Sequence, residues 1–120
     1  MSKVESFNDY RSRMNDRILG SESKILKRIF NLDTNTFKAG ALPSKTKELA
    51  GLSASMVLRC DDCIKYHIGS AIEAGATEAE LIEVFEIATL VGGTIVIPHL
   101  RRAYEYMDEV LGSSAEASEA

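Results

Sequence analysis

Apolar residues recur at three- and four-residue spacing along almost the whole chain, and no sustained period-two run of β-branched residues competes with them. A chain with that pattern buries its stripes by packing helix on helix. The short run Thr94-Ile95-Val96-Ile97 is the one segment with strand character. The pattern predicts an all-α fold of about six helices.

Val4, Phe7, Tyr10, Met14 and Ile18 make the first stripe, which Gly20 ends. Ser21 is placed to cap a second, short helix that buries Ile25, Leu26, Ile29 and Phe30. Asn31 to Pro43 reads as a connector, with Asp33, Asn35 and Gly40 as turn formers. Ser44 is expected to cap a third helix with the stripe Leu49, Leu52, Ser53, Met56 and Val57. The run Arg59-Cys60-Asp61-Asp62 reads as a break, with Asp61 or Asp62 capping a fourth helix. That helix carries Cys63, Ile64, His67, Ile68, Ala71 and Ile72 and ends at Gly75. Thr77-Glu78-Ala79-Glu80 is a capping box opening a fifth helix, with Leu81, Ile82, Phe85 and Ala88 inward. After Gly92-Gly93, a last stripe runs through Val96, Leu100, Ala103, Tyr104, Met107 and Leu111, and Pro98 kinks its helix or marks its start. These elements divide as N-terminal helices and connector (1-42), a core (43-111) and a small, acidic tail (112-120) expected to be disordered, within one domain overall.

At 120 residues the chain can enclose a core, though a small one, and self-association would help it. Its 14 basic and 18 acidic residues give a net charge of −4, which offers no electrostatic basis for binding nucleic acid or an anionic membrane. No apolar run reaches the roughly 20 residues needed to span a bilayer. The N-terminus lacks an apolar signal-peptide core, so the expected location is cytoplasmic. In that compartment a pair of cysteines is more often redox-active or metal-binding than a structural staple.

Both cysteines lie in Cys60-Asp61-Asp62-Cys63-Ile64-Lys65-Tyr66-His67. Two thiols three residues apart can close a disulfide or share a metal. On a helix Cys63 and His67 share a face, one turn apart, whereas Cys60 is two turns from His67, about 10 Å along the axis. Only Cys63 can use the imidazole directly. A thiol with a base beside it is held as thiolate, the nucleophilic form. The helix N-terminus favours that form, and Asp61 and Asp62 oppose it. Cys63 is therefore read as nucleophile, Cys60 as resolving thiol and His67 as base or proton relay. Glu48 is the candidate to orient His67, since a carboxylate beside an apolar stripe needs a partner. On one straight helix the two would stand about 28 Å apart. They meet only if the chain reverses near Arg59-Cys60 or if Glu48 comes from another subunit.

Glu48, twelve residues before Cys60, then Cys-x-x-Cys-x-x-x-His, resembles the alkylhydroperoxidase D (AhpD) branch of the carboxymuconolactone decarboxylase family. Glu73-Ala74-Gly75-Ala76-Thr77-Glu78-Ala79-Glu80 and Gly92-Gly93 are similar to that family too, so the likeness covers roughly 43 to 110. The resemblance implies an all-helical fold assembled as trimers or hexamers. It implies peroxiredoxin-type, antioxidant reduction of a hydroperoxide by the cysteine pair, with a Glu48-His67 relay activating Cys63 and a dithiol partner restoring it. No cofactor and no resident metal belong to that chemistry. The lactone decarboxylases of the wider family lack the cysteine pair. In the peroxidase branch a histidine often stands between the cysteines, where this chain has Asp62, and a general disulfide reductase acting on small or protein disulfides is the alternative activity.

A non-enzymatic alternative makes Glu48, Cys60, Cys63 and His67 four ligands for zinc in an assembly module. The usual zinc spacing has a second, distant Cys or His pair, which is missing here. Glu48 could also sit on a solvated face with Lys45 and Lys47. His99 is expected as a packed, hydrogen-bonded histidine, and Tyr66 as a packing residue. Arg101 and Arg102, with Glu105, Asp108 and Glu109, are expected on a solvated face or a subunit contact.

Overall fold

The computed structural model describes residues 2–119, with side chains described through 112. Among the described residues there are six α-helices, one short 3-10 turn and no strand. The helices are α1 (Lys3–Leu19), α2 (Lys24–Thr36), α3 (Ser44–Val57), α4 (Asp61–Glu73), α5 (Glu78–Gly92) and α6 (Ile97–Glu119). The Thr94–Val96 segment, with its strand-like composition, forms the 3-10 turn. Pro98 falls in the first turn of α6, where its missing N–H leaves no bond unmade. No described helix is long and apolar enough to cross a membrane.

The chain forms two compact units, Met1–Lys38 and Ala39–Ala120. The first is the pair α1 and α2. Ser2 and Glu5 form a capping box at the start of α1. Ser23, rather than Ser21, caps α2 by accepting from the Leu26 N–H; Ser21 instead turns back to donate to the Ile18 carbonyl. The expected connector from Asn31 proves to be helix as far as Thr36. Weak helix formers differ from good ones by only tenths of a kcal/mol each. Here the Thr34 and Thr36 hydroxyls also donate to the carbonyls of Phe30 and Leu32, so they find partners inside the helix. Ile25, Leu26 and Ile29, expected to be buried, are exposed, because two helices alone cover only the sides they turn to each other.

The second unit holds the core. α3 packs on α4 and α5, and α4 packs on α6. Leu52 and Met56 of α3, Ile64, Ile68 and Ala71 of α4, Leu81, Phe85 and Ala88 of α5, Val96, and Ala103 and Met107 of α6 are buried. The Thr77–Glu80 capping box is present as expected. Lys45 at the start of α3 bonds Glu80 at 2.9 Å, tying the ends of α3 and α5. α6 continues past Leu111 to Glu119, into the stretch expected to be disordered; its side chains beyond 112 lie outside the described residues.

α3 and α4 are joined by a three-residue turn. The Arg59 N–H bonds the Met56 carbonyl and the Cys60 N–H bonds the Ser55 carbonyl, a helix stop that usually has glycine in its left-handed position. Arg59 occupies that position with φ 62°. An L-residue there carries a steric cost of roughly 1 kcal/mol that glycine avoids. Arg59→Gly is therefore expected to raise stability by about 1 kcal/mol, a few degrees in Tm. A fall in Tm would mean that the arginine side chain contributes more than its backbone costs.

Candidate functional site

The three-residue turn reverses the chain and lays α3 against α4. Glu48, in the second turn of α3, then faces His67, in the second turn of α4. Both are buried, at 5% and 9% exposure. His67 Nδ1 lies 2.8 Å from Glu48 Oε2. A carboxylate can only accept, so the imidazole proton sits on Nδ1 and the basic lone pair on Nε2. The pair satisfies itself within one chain, and the reversal expected near Arg59-Cys60 is what brings it together.

Gly51 makes room for this contact. A Cβ at that position would stand 2.7 Å from Cε1, 2.9 Å from Nε2 and 3.0 Å from Nδ1 of His67. The imidazole therefore lies on the bare backbone of α3, one turn from Glu48. No motif in the sequence marks Gly51. The available signal was an isolated glycine inside a strong helical stripe, which usually has a packing reason.

Cys60 and Cys63 are joined as a disulfide at the start of α4. Cys60, not Asp61 or Asp62, is the N-cap, and its Sγ accepts from the Cys63 N–H at 3.3 Å. The cap moves back one residue because the turn at Arg59 places Cys60 in extended conformation and starts the helix at Asp61. Cys60 is half-buried and Cys63 is exposed. Cys63 is thus open to a reagent from solvent and one helical turn from His67. The four residues considered as zinc ligands are divided into two pairs, cysteine with cysteine and Glu48 with His67. The Tyr66 and His67 rings meet in an edge-type arrangement, with centroids 5.1 Å apart and planes inclined at 63°.

A second cluster stands at the same end of α4. Asp61, the residue after Cys60, receives His99 Nδ1 at 2.7 Å on one oxygen and Arg102 Nε at 3.0 Å on the other. His99 is hydrogen-bonded, as expected, and Arg102 is exposed, as expected of a solvated face, while its guanidinium reaches across to Asp61 of α4. Burial pushes the Asp61 carboxyl up; the His99 hydrogen bond and the Arg102 charge outweigh that and hold it below the usual carboxylate range. Nothing in local spacing marks this cluster, because its members are 38 and 41 residues apart.

The carboxymuconolactone decarboxylase family model matches residues 23–106, which takes in both clusters. A crystal structure of a Thermotoga maritima protein superposes with a TM-score of 0.90 at 45% identity, covering 93% of this chain and 98% of that one. In a second crystal structure from the same organism (TM-score 0.88, 44% identity, 96% and 97% coverage), the protein is described as a member of the same family with a suggested part in the antioxidative response. A family protein from Legionella pneumophila shares the fold at a TM-score of 0.82 and 24% identity, over 92% of this chain and 98% of its own. An uncharacterised protein of the Paracoccus denitrificans cox locus is 30% identical over 77 residues, 64% of this chain and 69% of that protein. The match to an uncharacterised Cupriavidus necator protein, at 33% identity, takes in 58% of this chain and 61% of that one. With the family model matching residues 23–106, most of its length, this chain belongs to the carboxymuconolactone decarboxylase family.

Proposed function

We propose that the protein is a thiol-dependent peroxidase that cycles Cys60 and Cys63 between dithiol and disulfide. The observation that carries this reading is the buried Glu48–His67 pair one turn beneath an exposed Cys63 that already shares a disulfide with Cys60. In the reduced protein, His67 Nε2 takes the Cys63 proton, and Glu48 on Nδ1 stabilises the imidazolium that forms. The Cys63 thiolate attacks the terminal oxygen of a hydroperoxide. The S–O bond forms, the O–O bond breaks, and the departing alkoxide takes the proton from His67. Cys60 then attacks the sulfenic sulfur; the disulfide forms and water leaves. An external dithiol returns two electrons and two protons in two exchange steps. The suggested antioxidative role of the Thermotoga relative agrees with this class of reaction.

The same dithiol could reduce disulfides, so the test sets hydroperoxides against small and protein disulfides. Reduced protein is mixed with each oxidant, and turnover is followed with dithiothreitol and other dithiol donors. Hydroperoxide consumption that exceeds one equivalent and depends on the donor is the expected result. Turnover of disulfides with none of hydroperoxides would replace this reading with a disulfide reductase. Stoichiometric zinc that survives dialysis of chelator-free protein would replace it with a metal site.

A further inference from the structure

The acidic residues between the cysteines pose an electrostatic problem for any thiolate chemistry. Asp61 directly follows Cys60, and a negative charge there disfavours a thiolate. The fold answers it from another helix. Arg102 of α6 is a permanent cation and contacts Asp61 Oδ2 at 3.0 Å. His99, one turn earlier on α6, donates Nδ1–H to Oδ1 at 2.7 Å. Both oxygens of Asp61 are thereby engaged, and its charge is balanced locally. Asp62 is exposed, where solvent and salt screen it most.

We propose that His99 and Arg102 are positioning residues that neutralise Asp61 and so keep its charge from disfavouring the thiolates of the Cys60–Cys63 pair. The proposal deepens the peroxidase reading and rests on it for its biological use, because that cycle needs both sulfurs as thiolates in turn. The other charged or titratable groups about the pair are Arg59, Asp62, Lys65 and His67, with Glu48 from α3 bonded to His67. α4 packs on α3 and α6: from α3, Glu48 reaches His67, and from α6, His99 and Arg102 reach Asp61.

Removing one member of the cluster must change the thiols in a direction fixed by charge. Arg102→Gln leaves Asp61 with His99 alone and adds a net negative charge beside Cys60. Asp61→Asn leaves Arg102 uncompensated and adds a positive one. The double variant restores the balance while abolishing the clamp. A mechanical clamp and an electrostatic screen therefore predict different behaviour for the double variant.

The experiment measures iodoacetamide alkylation of the fully reduced chain against pH, with the modified cysteine located by tandem mass spectrometry of peptide 60–65. At pH 7, Arg102→Gln is expected to slow alkylation by about threefold to tenfold, the effect of a nearby charge on a thiol. Asp61→Asn is expected to accelerate it, and the double variant to return to within about twofold of the parent. Equilibration with a dithiothreitol buffer gives a second reading: Arg102→Gln should shift the pair toward disulfide, because its thiolates are less favourable. An unchanged alkylation rate in Arg102→Gln overturns the proposal. So does a double variant as slow as Arg102→Gln, which would show a mechanical role. Arg102 is half-exposed, so its replacement leaves the core intact. His99→Gln, alone and with Asp61→Asn, repeats the comparison from the second donor. Alkylation needs no peroxide, so failure of hydroperoxide turnover would remove the peroxidase reading and leave the charge series to be judged separately.

Discussion

Cys63→Ser is expected to abolish hydroperoxide turnover, whereas Cys60→Ser is expected to react once and stop at a sulfenic acid on Cys63. The asymmetry follows from position. Cys63 is exposed and one turn from the buried Glu48–His67 pair; Cys60 is half-buried and two turns from it. Neither change should unfold the chain. Cys60 is the N-cap of α4, and serine is a stronger cap than cysteine, so the helix start survives the substitution. Cys63 lies in the first turn on the solvent side, where serine is tolerated. The measurement is peroxide consumed per protein by stopped flow, with dimedone trapping and intact mass to find the sulfenic acid. One equivalent consumed by Cys60→Ser, none by Cys63→Ser and a trapped adduct on Cys63 are the expected set. The reverse pattern, with Cys60→Ser inert, would transfer the attacking role to Cys60.

Gly51→Ala is expected to lower both stability and kcat/KM, although alanine is the better helix former. In an open helix this change would stabilise by about 1 kcal/mol. Here the new methyl would stand 2.7 to 3.0 Å from three atoms of the His67 ring. Either the imidazole leaves Glu48 or α3 and α4 move apart. Overpacking of this kind costs about 1–3 kcal/mol, so Tm should fall by several degrees. Displacing the imidazole by about 1 Å should cost on the order of 100-fold in peroxide turnover. Thermal melts and initial rates check the two effects separately. A higher Tm with unchanged turnover would show that the ring has room the geometry does not suggest.

The all-helical fold, the capping box at Thr77 and the ends at Gly20 and Gly75 were legible because each depends on local spacing and local caps. The Glu48–His67 pair was legible only conditionally. Two residues that would be about 28 Å apart on one helix become partners through a reversal, and the only signal for the reversal was the break at Arg59-Cys60. The exact start of α4 was misread. Aspartate is the stronger cap, but the left-handed turn at Arg59 decides which residue is extended, and that residue is Cys60. The length of α2 was misread because Asn31, Asp33, Thr34, Asn35 and Thr36 are weak helix formers, yet the hydroxyls of Thr34 and Thr36 find carbonyls in the preceding turn. The partners of Asp61 could not be read at all: α6 brings them from a distance in sequence, and their spacing carries no mark of it. Gly51 was visible but unread, since its meaning depends on what lies against it.

The turn at Arg59 also bears on the order in which the site assembles. Glu48, His67 and both sulfurs sit on one αα-hairpin, closed by three residues, so loop closure costs little chain entropy and the contact between Glu48 and His67 is local in topology. The bonds of Asp61 to His99 and Arg102 must wait for α5 and α6 to be in place. The Glu48–His67 contact is thus closed within a single hairpin, whereas the charge balance around Asp61 depends on the docking of the last helix.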